Sequence, residues 1–152
     1  MQSVKALLFG LLVAGSCQAA QPVTPGGAAG IAQQPKESRM WMTINERRVA
    51  VTLADNASAR AFAAHLPLTL HMEELNGNGK HARLPASLPA DASRPGVIRS
   101  GDLMLYGEDT LVVFYATFNS AYSYTRLGQV DDTAGLAQAV GKHDVRITFS
   151  AQ

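Results

Sequence analysis

The chain has 152 residues, 47% of them hydrophobic and 16% charged, which suits one soluble globular domain with its own core. Thirteen Lys and Arg stand against twelve Asp and Glu with no run of either sign, so the clustered positive surface that nucleic-acid binding needs is not expected. The single cysteine, Cys17, excludes an intrachain disulfide.

Lys5 precedes the apolar run "ALLFGLLVAG", which is too short to span a bilayer and gives way to small residues, as in a secretory signal. The chain is therefore expected to be exported, as a periplasmic or secreted protein. Two processing routes stay open. Cys17 and Ala19 have the spacing a signal peptidase prefers, so cleavage after Ala19 gives a leader of residues 1–19 and a soluble product. Alternatively, Ala14, Gly15 and Ser16 before Cys17 resemble a bacterial lipobox, without its usual leucine, giving a leader of residues 1–16 and a lipid anchor at Cys17. Membrane contact is expected only on that second route. With Lys5 removed from the thirteen, twelve basic residues balance the twelve acidic ones. Residues 20–38 contain "QPVTPGGAAGIAQQPKES", a mix of Pro, Gly, Ala and Gln without hydrophobic period, and are expected to be a flexible tether.

The domain is expected over residues 39–152. "MWMTI" and "RVAVTL" alternate apolar and polar residues around "NERR", which predicts a hairpin. "DNASARAFAAHL" follows, with Asp55, Asn56 or Ser58 as helix cap, Ala59, Phe62, Ala63 and Leu66 at helical spacing, and Pro67 as the stop. In "LTLHMEELNGNG" Leu68, Leu70 and Met72 face one side of a strand, Thr69, His71 and Glu73 the other, and "NGNG" provides a tight turn. "RLPASLPADASRPG" has no period and predicts a long loop, either a functional wall or an inert cover.

Three strands are predicted in "GVIRSGDLMLYG", "TLVVFYATF" and "YSYTRLGQV". The unbroken apolar runs Leu103 to Tyr106 and Leu111 to Tyr115 predict burial on both faces, with the first helix and a second in "DTAGLAQAVG" as the candidate covers. "DVRITFS" is the final strand. Many short strands with two helices read as a mainly β fold, a closed barrel capped by two short helices.

This order resembles cyclophilins. "VAVTLADNASARAFAAHL" is similar to their opening strand and first helix, "IRSGDLML" to their Gly-Asp-Phe strand, and "LGQVDD" with "VRITF" to their second-helix region and last strand. The bacterial cyclophilin-like proteins are more similar still, through "ELNGN", "GDLMLYG" and "YSYTRLG". The resemblance spans residues 42–149 and implies a cyclophilin-like barrel. Peptidyl-prolyl isomerisation, the activity of true cyclophilins, must lower a barrier of about 18–20 kcal/mol. The resemblance puts Arg99 at the position of their active-site glutamine, Gly96 where the proline pocket has a phenylalanine, and Tyr124 near their histidine. Their arginine has no clear counterpart: Arg94 is near but sits in the loop.

If "YSYTR" is strand, Tyr122, Tyr124 and Arg126 share one face. Tyrosines give broad apolar area with a polar tip and arginine a planar cation, a set suited to a peptide or an acidic small molecule. The other reading is a surface ladder of cross-strand pairs. Arg99, Tyr106 and Phe118 are the expected neighbours of that site, and Asp102 is expected to bind turn amides. His65, His71, His81 and His143 lack metal-ligand spacing, and no nucleophile or phosphate-loop motif is present, so neither metal nor cofactor is expected. The expected function is binding of a peptide segment or small molecule. The alternatives are a peptidyl-prolyl isomerase acting on exported proteins and an accessory module that packs the same face against another protein.

Overall fold

A computed structural model describes residues 37–152. The expected leader, the Cys17 anchor and all but the last two residues of the expected tether lie outside the described residues. The strands are β1 (Arg39–Ile44), β2 (Arg47–Leu53), β3 (Leu68–Leu75), β4 (Gly79–Arg83), β5 (Gly96–Ile98), β6 (Asp102–Tyr106), β7 (Thr110–Phe114), β8 (Phe118–Ser120), β9 (Thr125–Val130) and β10 (Val145–Ala151). The helices are α1 (Ala57–Ala63) and α2 (Leu136–Val140). Eight strands close into an antiparallel barrel in the order β1, β10, β3, β4, β7, β6, β9, β2, and β5 pairs with β8 in a separate ribbon. The expected architecture, a mainly β fold with a closed barrel and two short helices, is therefore observed.

Alternation sorts side chains between inside and outside. Met40, Met42 and Ile44 of β1, Val49, Val51 and Leu53 of β2, and Leu70 and Met72 of β3 all join the inner core. The hairpin turn between β1 and β2 is tighter than "NERR" suggested. Asn45 takes a positive φ of 52°, and Arg47 and Arg48 already belong to β2. The cap of α1 is Asn56, whose Oδ1 accepts the Ala59 N–H (2.7 Å) while its amide donates to the Arg126 carbonyl (2.8 Å).

The helices do not cover the outer faces of β6 and β7 as the sequence suggested. α1 links the end of β2 to the start of β3, and α2 links the end of β9 to the start of β10, so they close opposite ends of the barrel. Both feed the inner core, with Phe62 set edge-on to Phe149 at 5.7 Å and Leu136 and Val140 buried. A second cluster covers the outer face. Met104, Val112 and Phe114 pack there against Ile98 of β5, Tyr124 and the half-buried Phe118 of β8. The proline-containing loop is also built in. Leu84 and Leu88 are buried, their N–H groups donate to the carbonyls of Asp109 (2.6 Å) and Glu108 (2.8 Å), and Ser93 bridges to Tyr124.

The barrel end near α2 holds a polar plug. Lys80 continues the inward face of β4 and is fully buried. Its Nζ donates to Glu74 and to the His143 carbonyl (2.6 Å), and lies 5.6 Å from the centre of the Tyr115 ring. The Tyr115 hydroxyl donates to Glu74 Oε1 at 2.5 Å, and the Gly77 N–H donates to the same oxygen at 3.1 Å. Burial opposes ionisation of Glu74, but the Lys80 and Tyr115 hydrogen bonds, the Lys80 charge and the Gly77 amide outweigh it and leave its pKa below the ordinary value. Burial first, then the adjacent Glu74, push the Tyr115 phenol up to about 12 from 10.0. A raised folded-state value means that the neutral phenol contributes stability in full below the ordinary tyrosine pKa, and that this is lost as pH climbs through the folded-state value. Wild type should thus lose denaturant resistance progressively between pH 10.0 and about 12. In an absorbance titration Tyr115→Phe should lack the last phenol to ionise. If the last step persists in that variant, the plug is not as described.

Candidate functional site

The "YSYTR" stretch does not form one strand face. Strand β9 begins only at Thr125, and Tyr122 and Tyr124 precede it in an irregular segment held by the Ser93 N–H, which donates to the Tyr124 carbonyl (3.0 Å), and by the reciprocal bond (2.9 Å). The pairing of β9 with β6 also shifts register at Leu103 and Met104, where Leu103 faces Gly128 but Met104 faces Arg126. The result is two separate hollows on the barrel wall, with the tyrosines in one and the arginines in the other.

The aromatic hollow has a volume of about 400 Å³, and its walls include Leu75, His81, Val112, Tyr106, Tyr122 and Tyr124. Tyr106 ends β6, where the sheet has left the inner core, and meets Tyr122 edge-on at 6.4 Å and Tyr124 at 5.8 Å. Tyr124 rests in turn edge-on against Phe114 at 5.6 Å. Burial divides the three rings: Tyr124 is 8% exposed and is part of the outer core, whereas Tyr106 is 47% exposed and Tyr122 65%. Burial raises the Tyr124 phenol above its ordinary pKa; a Ser120 hydrogen bond works against this, and the Tyr106 and Tyr122 phenols reinforce it. Tyr124 therefore supports the site from beneath, and Tyr106 and Tyr122 offer their faces to solvent. Phe118 is not in the hollow's lining but packs on Phe114 at 5.4 Å, as a support of that support.

A profile of the cyclophilin-like family matches residues 42–150. The chain belongs to the cyclophilin-like family. Among solved structures, this cyclophilin-like chain is similar to the solution structure of a hypothetical protein from Archaeoglobus fulgidus, at 13% identity and a TM-score of 0.50 over 76% of this chain and 95% of that one. That likeness is one of fold. No curated protein matches the sequence significantly.

In this cyclophilin-like barrel the second hollow is a polar groove of about 730 Å³ beside β2 and β9. Arg99 and Arg126 both line it. Asp102 serves the turn amides as expected: its Oδ2 accepts the Arg99 N–H (2.9 Å) and its Oδ1 lies 3.4 Å from the Arg126 guanidinium. The groove floor includes Gly128, where a Cβ would stand 2.6 Å from the Thr52 carbonyl oxygen. Of the six residues expected at one site, Tyr106, Tyr122 and Tyr124 gather at the first hollow, Arg99 and Arg126 at the second, and Phe118 stands behind the first. Sequence reasoning did not include His81, Val112 and Leu75 in the aromatic hollow. His81 and Val112 face each other in the β4 and β7 pairing, a juxtaposition that only the strand order supplies.

Proposed function

We propose that this domain is a binding module that takes an apolar side chain of a peptide segment, or a small molecule of similar size, in the hollow against the exposed surfaces of Tyr106 and Tyr122, and that it works outside the cytoplasm as the leader-like first residues suggest. The observation that carries the reading is the pair of exposed rings held edge-on above a buried aromatic base. Exposed rings leave apolar area open to a ligand, and a hollow of this size falls within the range of small-molecule sites. The isomerase alternative draws less support, since the hollow's lining contains no arginine to meet a prolyl nitrogen.

The test is titration of the full chain with short extended peptides carrying Pro, Leu or Phe, followed by thermal shift, since a ligand that binds only the folded state raises the melting temperature. Tyr106→Ala and Tyr122→Ala should each weaken the best peptide about tenfold, or ~1.4 kcal/mol, with little change in unliganded stability. An Ala-Pro peptide should isomerise no faster in the presence of the protein. Unchanged affinity in both variants would sink the binding reading, clear catalysis would favour the isomerase, and a concentration-dependent dimer without ligand binding would favour the accessory module.

A further inference from the structure

The polar groove differs chemically from the aromatic hollow. One buried carboxylate, Asp102, pairs with the Arg126 guanidinium and fixes the backbone turn that carries Arg99. Asp102 holds the Arg99 turn through the Arg99 N–H (2.9 Å), its own N–H donates back to the Arg99 carbonyl (3.0 Å), and its other oxygen faces Arg126 (3.4 Å). Asp102 is buried, so this arrangement is built into the wall. Among the described residues Arg126 pairs only with Asp102, and Arg99 pairs with no carboxylate.

The turn that carries Arg99 is rigid. The Gly101 N–H donates to the Phe114 carbonyl (2.7 Å), the Gly101 carbonyl accepts the Val130 N–H (2.8 Å), and the Ser100 hydroxyl donates to the Tyr115 carbonyl (3.1 Å). Gly101 has φ of 92°, and a Cβ there would lie 2.5 Å from Thr133 Cγ2. A donor fan surrounds the arginines. Thr117 Oγ1 accepts the Ser100 N–H (3.1 Å), which leaves the Thr117 hydroxyl proton for a ligand, and Gln129 and Thr133 add an amide and a hydroxyl to the lining. The acidic member of the lining, Asp131, is already engaged by the Thr52 hydroxyl (2.5 Å) and lies 3.8 Å from Arg39.

We propose that this groove is a second, independent ligand site, for a small carboxylated or phosphorylated molecule rich in hydroxyl groups, such as a sugar acid or sugar phosphate. Guanidinium forks match the paired oxygens of carboxylate and phosphate. A groove of about 730 Å³ has room for much more than one oxyanion, and the surrounding hydroxyl and amide groups suit a polyhydroxylated body.

The test is calorimetric titration of the full chain at low salt with glucuronate, glucose 6-phosphate and glucose. One or both acids should bind at least tenfold more tightly than neutral glucose, and added salt should weaken them, because exposed charges are screened. Binding of a single acid would identify the oxyanion. Arg99→Ala and Arg126→Ala should each reduce acid affinity at least tenfold; Arg99 meets Asp102 only through its backbone, which alanine keeps, so that variant should fold normally. Tyr106→Ala and Tyr122→Ala should bind the acid as wild type does, so this site can fail without the aromatic hollow failing. No saturable binding of either acid to about 10 mM, equal binding of glucose, or acid affinity unchanged in both arginine variants would overturn the proposal.

Discussion

Replacing Lys80 with Met is expected to destabilise the domain by about 3 kcal/mol, since removing the fully buried member of the ion pair leaves the partly buried Glu74 carboxylate without its counter-charge. The Met side chain fills the space of the lysine stem, so lost packing contributes little. The cost is electrostatic: Glu74 loses both the charge and the hydrogen bond that hold its carboxylate ionised, and the His143 carbonyl loses its donor. The melting temperature should fall by roughly 10 °C for a domain of this size. Adding Glu74→Gln to Lys80→Met should recover part of the loss, because the stranded charge is then gone, and the double-mutant cycle should show strong coupling. A Lys80→Met variant as stable as wild type in urea would mean that the plug contributes nothing.

Gly128→Ala should be comparably damaging, at about 3 kcal/mol, for a steric reason. The new Cβ would stand 2.6 Å from the Thr52 carbonyl oxygen and 3.3 Å from Leu53 Cα, both backbone atoms of the neighbouring strand. A flexible side chain could turn aside, but this contact yields only if β2 moves away from β9. Such movement breaks the pairing of Leu53 with Gly128 and disturbs the floor of the polar groove. Urea unfolding should give a lower midpoint, and amide spectra should show shifts concentrated in residues 51–54 and 126–130. Gly77→Ala makes a useful contrast: nothing lies within 4 Å of its Cβ, and its cost comes only from a positive φ of 70°.

The barrel was legible where burial follows a period. The alternating residues of β1, β2 and β3 face the core as their pattern implies, and the doubly buried runs of β6 and β7 do have a second covering layer. The identity of that layer was not legible, because Ile98, Phe118 and Tyr124 come from three short segments that share no repeat. Strand β4 was not predicted, for a related reason. In "GKHAR" the inward residues are Lys80 and Ala82, and a buried lysine looks like a surface residue until its partners are known.

The candidate site was legible as a set of residue types but not as a place. Tyr122, Tyr124 and Arg126 alternate in the chain, yet the strand starts only after the tyrosines, and the register shift opposite Arg126 comes from its pairing with β6. Local spacing carries no information about either event. Asp102 shows the opposite case: an acid three residues after Arg99 can close a turn on local geometry alone, and it does.

β1 pairs on one side with β2 and on the other with β10, so the barrel is closed by strands from the two ends of the folded domain. A ribosome delivers β1 and β2 early, but the last staves of the cask arrive only when residues 145–151 have been made. Until then β1 and β3 each lack the neighbour that β10 provides, and the wall stays open. The closed wall therefore cannot form before the C-terminal strand is available to pair with both β1 and β3.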